Sequence, residues 1–242
     1  MATLAENLGM WGGRYAWPQD GDEWGNQAAF SRQDYGLWKD SVVEWLIYPY
    51  LRGDSTVLEL APGHGRWSGY IAERVKRVFL VDISKSCINY CKQRLSQYAN
   101  ISYHVNDGLT LPQIGDGSVD FIWSYDSFVH MDEDAVDSYF REFARVLKIG
   151  AKAVIHHPGR RNFMLHLKSM RRWGRVSNDL YNLLSLGRVN DGWRSELSKE
   201  LIRELAEKNG LRVEAQFNSW GDKLQYNNKL FHDYVSVLCR PG

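Results

Sequence analysis

Asp126, His130 and the adjacent pair His156 and His157 are the side chains whose types and grouping best suit proton or metal chemistry. A histidine titrates near ~6.5, so it can take a proton from a hydroxyl at neutral pH, and a carboxylate beside it orients the ring or the acceptor. In that reading one of His156 and His157 is the base and Asp126 its partner. Successive strand residues point to opposite faces, so only one histidine of the pair enters a pocket unless the strand has already ended there. In the competing reading Asp126, His156 and His157 bind a divalent metal ion, magnesium or manganese, which lowers the hydroxyl's pKa and presents two oxygens of a diol. Magnesium prefers oxygen ligands and imidazole suits zinc, manganese or iron, so the histidines weigh against magnesium.

A second constellation lies upstream. Val57-Leu58-Glu59-Leu60-Ala61-Pro62-Gly63-His64-Gly65 is an apolar run broken by an acid and ending in two close glycines. It reads as a buried strand opening into a tight turn where backbone can approach a ligand that side chains would exclude. Arg66, Trp67 and Ser68 follow, so the third glycine of the dinucleotide fingerprint is missing. His64 sits inside the loop and shapes it. Downstream, the run from Val78 to Asp82 ends on an acid, the place where a carboxylate accepts two ribose hydroxyls. Asn106-Asp107-Gly108 offers polar groups to an adenine edge, although the same tripeptide also favours a turn.

The elements that must position these groups follow from periodicity. Residues 1–30 have no clear period and read as an arm or lid. Residues 34–51 are helical. Trp67, Tyr70, Ile71 and Val75 make a helix after the glycine turn. Ser84 caps a helix bearing Ile88, Cys91 and Leu95, and Ile101, Tyr103 and Val105 alternate as a third strand. A fourth strand, 119–124, opens into Tyr125 and Asp126. An amphipathic helix covers 132–148 and stops at Gly150, and a fifth strand, Ala151 to Ile155, ends on His156 and His157. Residues 160–193 are too long for a simple connection and read as a helical cap. Ser198 caps a further helix that Gly210 ends, and strands near 211–217 and 231–239 close the chain around a polar stretch, 221–228. Alternating strands and helices with right-handed crossovers give an α/β fold, a mostly parallel sheet covered on both faces. The expected organisation is a lid of arm and helix, 1–53; a Rossmann-like core, 54–159; the cap, 160–193; and completion of the sheet, 194–242.

Composition narrows the partners. The 242 residues carry 30 basic and 29 acidic side chains, a net charge of +1, so no global field draws nucleic acid or an anionic membrane. The basic cluster Arg160, Arg161, Lys168, Arg171, Arg172 and Arg175 reads as a solvated helix face, or as a contact for an anionic group. No apolar run approaches the ~20 residues of a membrane span, and no amino-terminal signal is legible, so the expected location is cytoplasmic. Cys87 and Cys91 share a helix face as small core residues. Ten tryptophans and 13 tyrosines suit flat or sugar-like ligands, and equally pack a small cap.

Glu59-x-Ala61-x-Gly63-x-Gly65, Asp82, Asn106-Asp107 and the Ser124-Tyr125-Asp126 strand end occur in an order that resembles the cofactor groove of class I S-adenosylmethionine-dependent methyltransferases, with Ala61 where the motif usually has its first glycine. The phrases ELAPGHGRWS, VDISKSCINYCKQR, YHVNDG, YDSFVHM and IHHPG further resemble bacterial sugar and polysaccharide O-methyltransferases, of the kind acting on mycobacterial methylmannose polysaccharide. The resemblance implies a seven-stranded sheet and S-adenosylmethionine as cofactor. It implies that Ala61, Gly63 and Gly65 face the methionine part, Glu59 orients the loop or the ammonium group, Asp82 and Ile83 lie at the ribose, Asn106, Asp107 and Gly108 at the adenine, and Ser124 and Tyr125 along the groove. The acceptor is then a small hydroxyl compound, such as a saccharide, met by Trp24, His130 and Arg194, and a homodimer is allowed.

Overall fold

The structure is a computed structural model, and it describes residues 3–18, 22, 33–159, 195–228 and 232–242. The expected cap, 160–193, with its basic cluster, lies outside the described residues. A short helix α1 (Leu4–Gly9), capped by Thr3, runs on through a wider turn, Met10–Arg14. Helix α2 (Tyr35–Val42) continues in tightening and widening turns to Tyr50 and leads into the sheet.

Strands β1 (Thr56–Leu60), β2 (Arg77–Asp82), β3 (Ile101–Val105), β4 (Val119–Ser124) and β5 (Leu147–Pro158) are parallel. Strands β6 (Arg212–Phe217) and β9 (Asp233–Cys239) close the sheet, β9 antiparallel to both β5 and β6. The order is β3-β2-β1-β4-β5-β9-β6 in one seven-stranded sheet, with a separate small ladder of β7 (Ser219–Trp220), just before the polar stretch 221–228, and β8 (Tyr226–Asn227), within it. The chain leaves β1 toward β2 and β3 on one side and returns to β4 on the other, which opens a crevice beyond the carboxyl ends of β1 and β4.

Helices α3 (Ser68–Ala72) and α4 (Lys85–Arg94) join α2 on one face, and α5 (Glu133–Val146) and α6 (Lys199–Lys208) cover the other. The two-residue strand period divides the core accordingly. Val57, Phe121, Trp123 and Val154 pack with the first set, whereas Leu58, Leu60, Ile122 and Ile155 pack with the second. The caps are as the sequence suggests: the hydroxyls of Ser84 and Ser198 accept the N–H groups of Cys87 and Leu201 at 3.2 Å each.

Two boundaries differ from expectation at β5. Helix α5 ends at Val146 and the strand begins at once. Gly150 (φ +77°) lies within the strand, where the pairing with β4 jumps from Val119↔Leu147 to Phe121↔Lys152. The glycine therefore serves a bulge inside the strand rather than the helix end. At the other end β5 continues past Ile155, because β9 pairs with it through His156↔Val235, His157↔Tyr234 and Pro158↔Asp233.

Candidate active site

Residues 61–65 leave β1 in a left-handed turn, with φ of +55° at Ala61, +56° at Gly63 and +78° at Gly65. Ala61 takes a conformation that favours glycine, at a cost of roughly 1–2 kcal/mol for an L-residue. Its N–H donates to Val81 O at 2.7 Å, which ties the turn to β2. Asp82, at the end of β2, holds the same turn from the side: its carboxylate accepts the N–H of Gly63 at 3.2 Å and of Ser84 at 2.8 Å. Burial pushes its pKa up to about 6, against those N–H groups. Glu59 is buried below the turn and accepts the Ser68 hydroxyl at 2.6 Å, and burial pushes its pKa up to about 7. Its contact is with the start of α3, so it orients the loop.

Beyond these strand ends lies a groove enclosing about 960 Å³ of non-atom space, its open mouth included. Ala61, Gly63, Asp82, Ile83, Gly108, Tyr125, Asp126 and His130 form part of its wall, all of them named from the sequence. Glu59, Gly65, Asn106, Asp107, Ser124, His156 and His157 are not part of that wall. Asp107 is exposed and spends its carboxylate on its own turn, accepting the N–H groups of Leu109 and Thr110 at 2.9 and 2.7 Å. Asn106 donates to Thr110 O and to the Tyr139 hydroxyl, both at 2.9 Å. Both side chains thus shape the loop that presents Gly108. Ser124 Oγ donates to Leu60 O at 2.8 Å and joins the ends of β1 and β4.

At the end of β4, Asp126 (φ +63°) turns its carboxylate into a buried row of charges. Arg66 Nη2 donates to Asp126 Oδ2 at 2.6 Å, and His156 Nδ1 lies 3.0 Å from Asp126 Oδ1. The backbone N–H of Asp126 also donates to that ring nitrogen, at 3.3 Å. Asp233 lies 3.6 Å from His156 Nε2, and at the other end Asp22 lies 4.0 Å from Arg66 Nη1 and 2.5 Å from Lys39 Nζ. Burial alone would raise the Asp126 pKa, but His156 and Arg66 hold it well below the usual carboxylate range. Tyr125 stacks on His156 with centroids 4.3 Å apart.

His157 is placed differently from the expectation of a strand-end base. The strand has not ended there, and the ring is fully buried with both nitrogens engaged: Nδ1 is 2.8 Å from Pro158 O and Nε2 is 2.6 Å from Ser236 Oγ. A carbonyl only accepts, so Nδ1 carries the proton and Nε2 accepts from the serine. Burial pushes its pKa down to about 3. The donor set suggested for a divalent metal does not converge either, because Asp126 is neutralised by Arg66 and both His157 nitrogens are taken. Among the described residues no group of three His, Cys, Asp or Glu side chains is arranged around a common point. Trp24 and Arg194 lie outside the described residues.

Several wall residues were not singled out from the sequence. Arg66 and Trp67 follow the glycine turn directly, and that position was the available signal. Leu4, Asn7, Trp11 and Trp17 come from the amino-terminal segment, expected to be an arm or lid but without named contacts. Asp22 and Asp233 reach the charge row from distant parts of the chain and left no local pattern. The wall is mostly apolar and aromatic with a buried carboxylate, and the Trp17 ring lies against the backbone of Gly63. Asp82 can accept a vicinal pair of ribose hydroxyls and the groove beside the glycine turn can admit a methionine chain, so these residues fit S-adenosylmethionine.

Comparison with known proteins agrees. Residues 57–150 match the family described as Methyltransferase domain. The chain is 30% identical over 167 residues, 69% of its length, to a biotin biosynthesis bifunctional protein, BioHC, of Cellvibrio japonicus (strain Ueda107), and spans about a third of that relative, 32%. A solved S-adenosylmethionine-dependent methyltransferase of Clostridium acetobutylicum ATCC 824 superposes with a TM-score of 0.63 at 16% identity, covering 90% of this chain and 96% of that one. A protein of Pyrococcus horikoshii OT3 gives 0.60 at 21% identity, covering 87% and 93%. Residues 57–150 thus resemble a methyltransferase domain, and the chain has the fold of class I S-adenosylmethionine-dependent methyltransferases.

Proposed function

We propose that the protein transfers a methyl group from S-adenosylmethionine to a hydroxyl oxygen of a small molecule, a sugar or glycoside, in the cytoplasm. One observation carries the reading: a single groove has Asp82 on its wall on one side of β1 and Asp126 with His130 on the other. When bound, S-adenosylmethionine supplies an electrophilic methyl, and transfer is an in-line displacement that depends on holding the acceptor oxygen close and removing its proton. Asp82 accepts hydrogen bonds from the cofactor's ribose. Asp126, kept ionised by Arg66 and His156, accepts the acceptor O–H and orients the oxygen. His130, also on the wall, would take the proton that the acceptor hydroxyl gives up. His156, with Asp233 behind it, acts through Asp126 by fixing its carboxylate. Trp11 and Trp17 line the groove and exclude water, and Trp11 is the ring available to a sugar face.

The test is methylation of a panel of monosaccharides, glycosides and amines, with biotin precursors added because the relative is named for biotin biosynthesis. A methyl ether is the expected product, and an N-methylated product alone sinks the oxygen reading. His130→Ala should bind S-adenosylhomocysteine as the parent does and lose turnover by about 100-fold or more. Turnover at the parental rate would put the base elsewhere.

A further inference from the structure

The amino-terminal segment, 3–18, is laid across the groove, and its contacts fall at both ends of the cofactor site. At the ribose and adenine end Leu4 packs over Gly108, where a Cβ on Gly108 would collide with the leucine. At the methionine end a Cβ on Gly63 would come within 2.6 Å of the Trp17 ring. Trp17 stacks on His64 with centroids 4.0 Å apart, and His64 stacks in turn on Tyr90 at 3.8 Å, a three-ring pile rooted in helix α4. Between these points the backbone is pinned: Ser84 Oγ donates to Trp11 O at 3.1 Å, and Asn7 Nδ2 donates to His130 O at 2.6 Å.

From these contacts we infer that this segment is a strap that forms the roof of the cofactor site and latches at Trp17, so that cofactor enters and leaves only when the Trp17–His64 stack opens. The inference rests on the methyltransferase reading of the same groove. The strap follows from geometry: a ligand lying between Gly63 and Gly108 has the turn below it and α1 with Trp17 above it. Two of the three rings of the latch belong to the fixed body, His64 to the glycine turn and Tyr90 to α4, so the strap contributes the one ring that can leave. Because Asn7 holds the backbone of His130, closing the strap also sets the position of the reactive-end histidine. Cofactor must therefore bind before the acceptor site is complete.

The test uses the full chain and S-adenosylhomocysteine, with dissociation followed by stopped-flow competition. Trp17→Ala should release the ligand about tenfold faster than the parent, the order of one aromatic pair. Trp17→Phe, which keeps a ring to stack on His64, should stay within about threefold. Both variants should still fold, melting within about 5 °C of the parent without ligand, since Trp17 is not in either core cluster. Arg14 is exposed on the strap, so trypsin should cut after it in the free protein and be slowed by S-adenosylhomocysteine. Equal dissociation rates for the parent and Trp17→Ala, with cleavage at Arg14 indifferent to ligand, would overturn the strap while leaving the cofactor site standing. A parent that fails to bind S-adenosylhomocysteine overturns the cofactor reading and the strap with it.

Discussion

Replacing His157 by asparagine should leave methyl transfer intact and remove a defined part of the protein's acid sensitivity. The His157 pKa falls from its ordinary 6.5 to about 3 on folding, because the ring is buried and satisfied in its neutral form. A group depressed in the folded state is protonated first in the unfolded chain, so its contribution to stability is present above pH 6.5 and is lost as pH falls toward 3. Between pH 7 and pH 5 the linkage amounts to about 2 kcal/mol, or roughly 4–8 °C in Tm for a chain of this size. In His157→Asn the amide nitrogen can still donate to Pro158 O while Ser236 loses its acceptor, so the variant starts less stable by about 1–3 kcal/mol. The assay is urea unfolding of parent and variant at pH 7 and pH 5, where the parent should lose about 2 kcal/mol more than the variant. Parallel losses would refute the buried neutral histidine. Turnover of the variant, measured at pH 7.5, separates this role from that of a base: a fall of about 100-fold with cofactor binding unchanged would restore His157 to the chemistry.

Two further outcomes follow from the glycine turn and its partner strand. Asp82→Asn should weaken S-adenosylhomocysteine binding by roughly 10- to 100-fold in calorimetry, the scale of hydrogen bonds to an ionised acceptor, and a change under threefold would remove the ribose from Asp82. Ala61→Gly should raise Tm by about 1–2 °C, because relief of the left-handed φ of +55° exceeds the extra chain entropy of glycine, whereas Ala61→Val should lower it by several degrees. A lower Tm for the glycine variant would show that the turn does not strain Ala61.

Strand and helix order was legible because it depends on local periodicity. The run from Val57 to Leu60 feeds alternate faces of a doubly covered sheet, and an acid at Asp82 closes a run that is otherwise apolar. The glycine turn, the serine caps at Ser84 and Ser198 and the approach of Ala61, Gly63, Asp82 and Asp126 to one groove follow from the same short-range logic, once parallel strands bring their carboxyl ends together.

What the sequence could not decide is where a side chain points when its partner comes from far along the chain. His156 and His157 were read as the end of a strand, and β9, nearly 80 residues later by the His157–Ser236 pair, extends that strand and encloses both rings. The sequence groups Asp126 with the strand-end histidines, but its charge is also set by Arg66, 60 positions earlier, beside His156, 30 positions later. The amino-terminal segment has no period because it forms no face of its own, and its order comes from lying on Gly63, His64 and Gly108. Local chemistry therefore determined the fold and the glycine-turn end of the groove, while the charge row around Asp126 was decided by tertiary contacts, since the ionisation of buried groups depends on neighbours that only folding supplies.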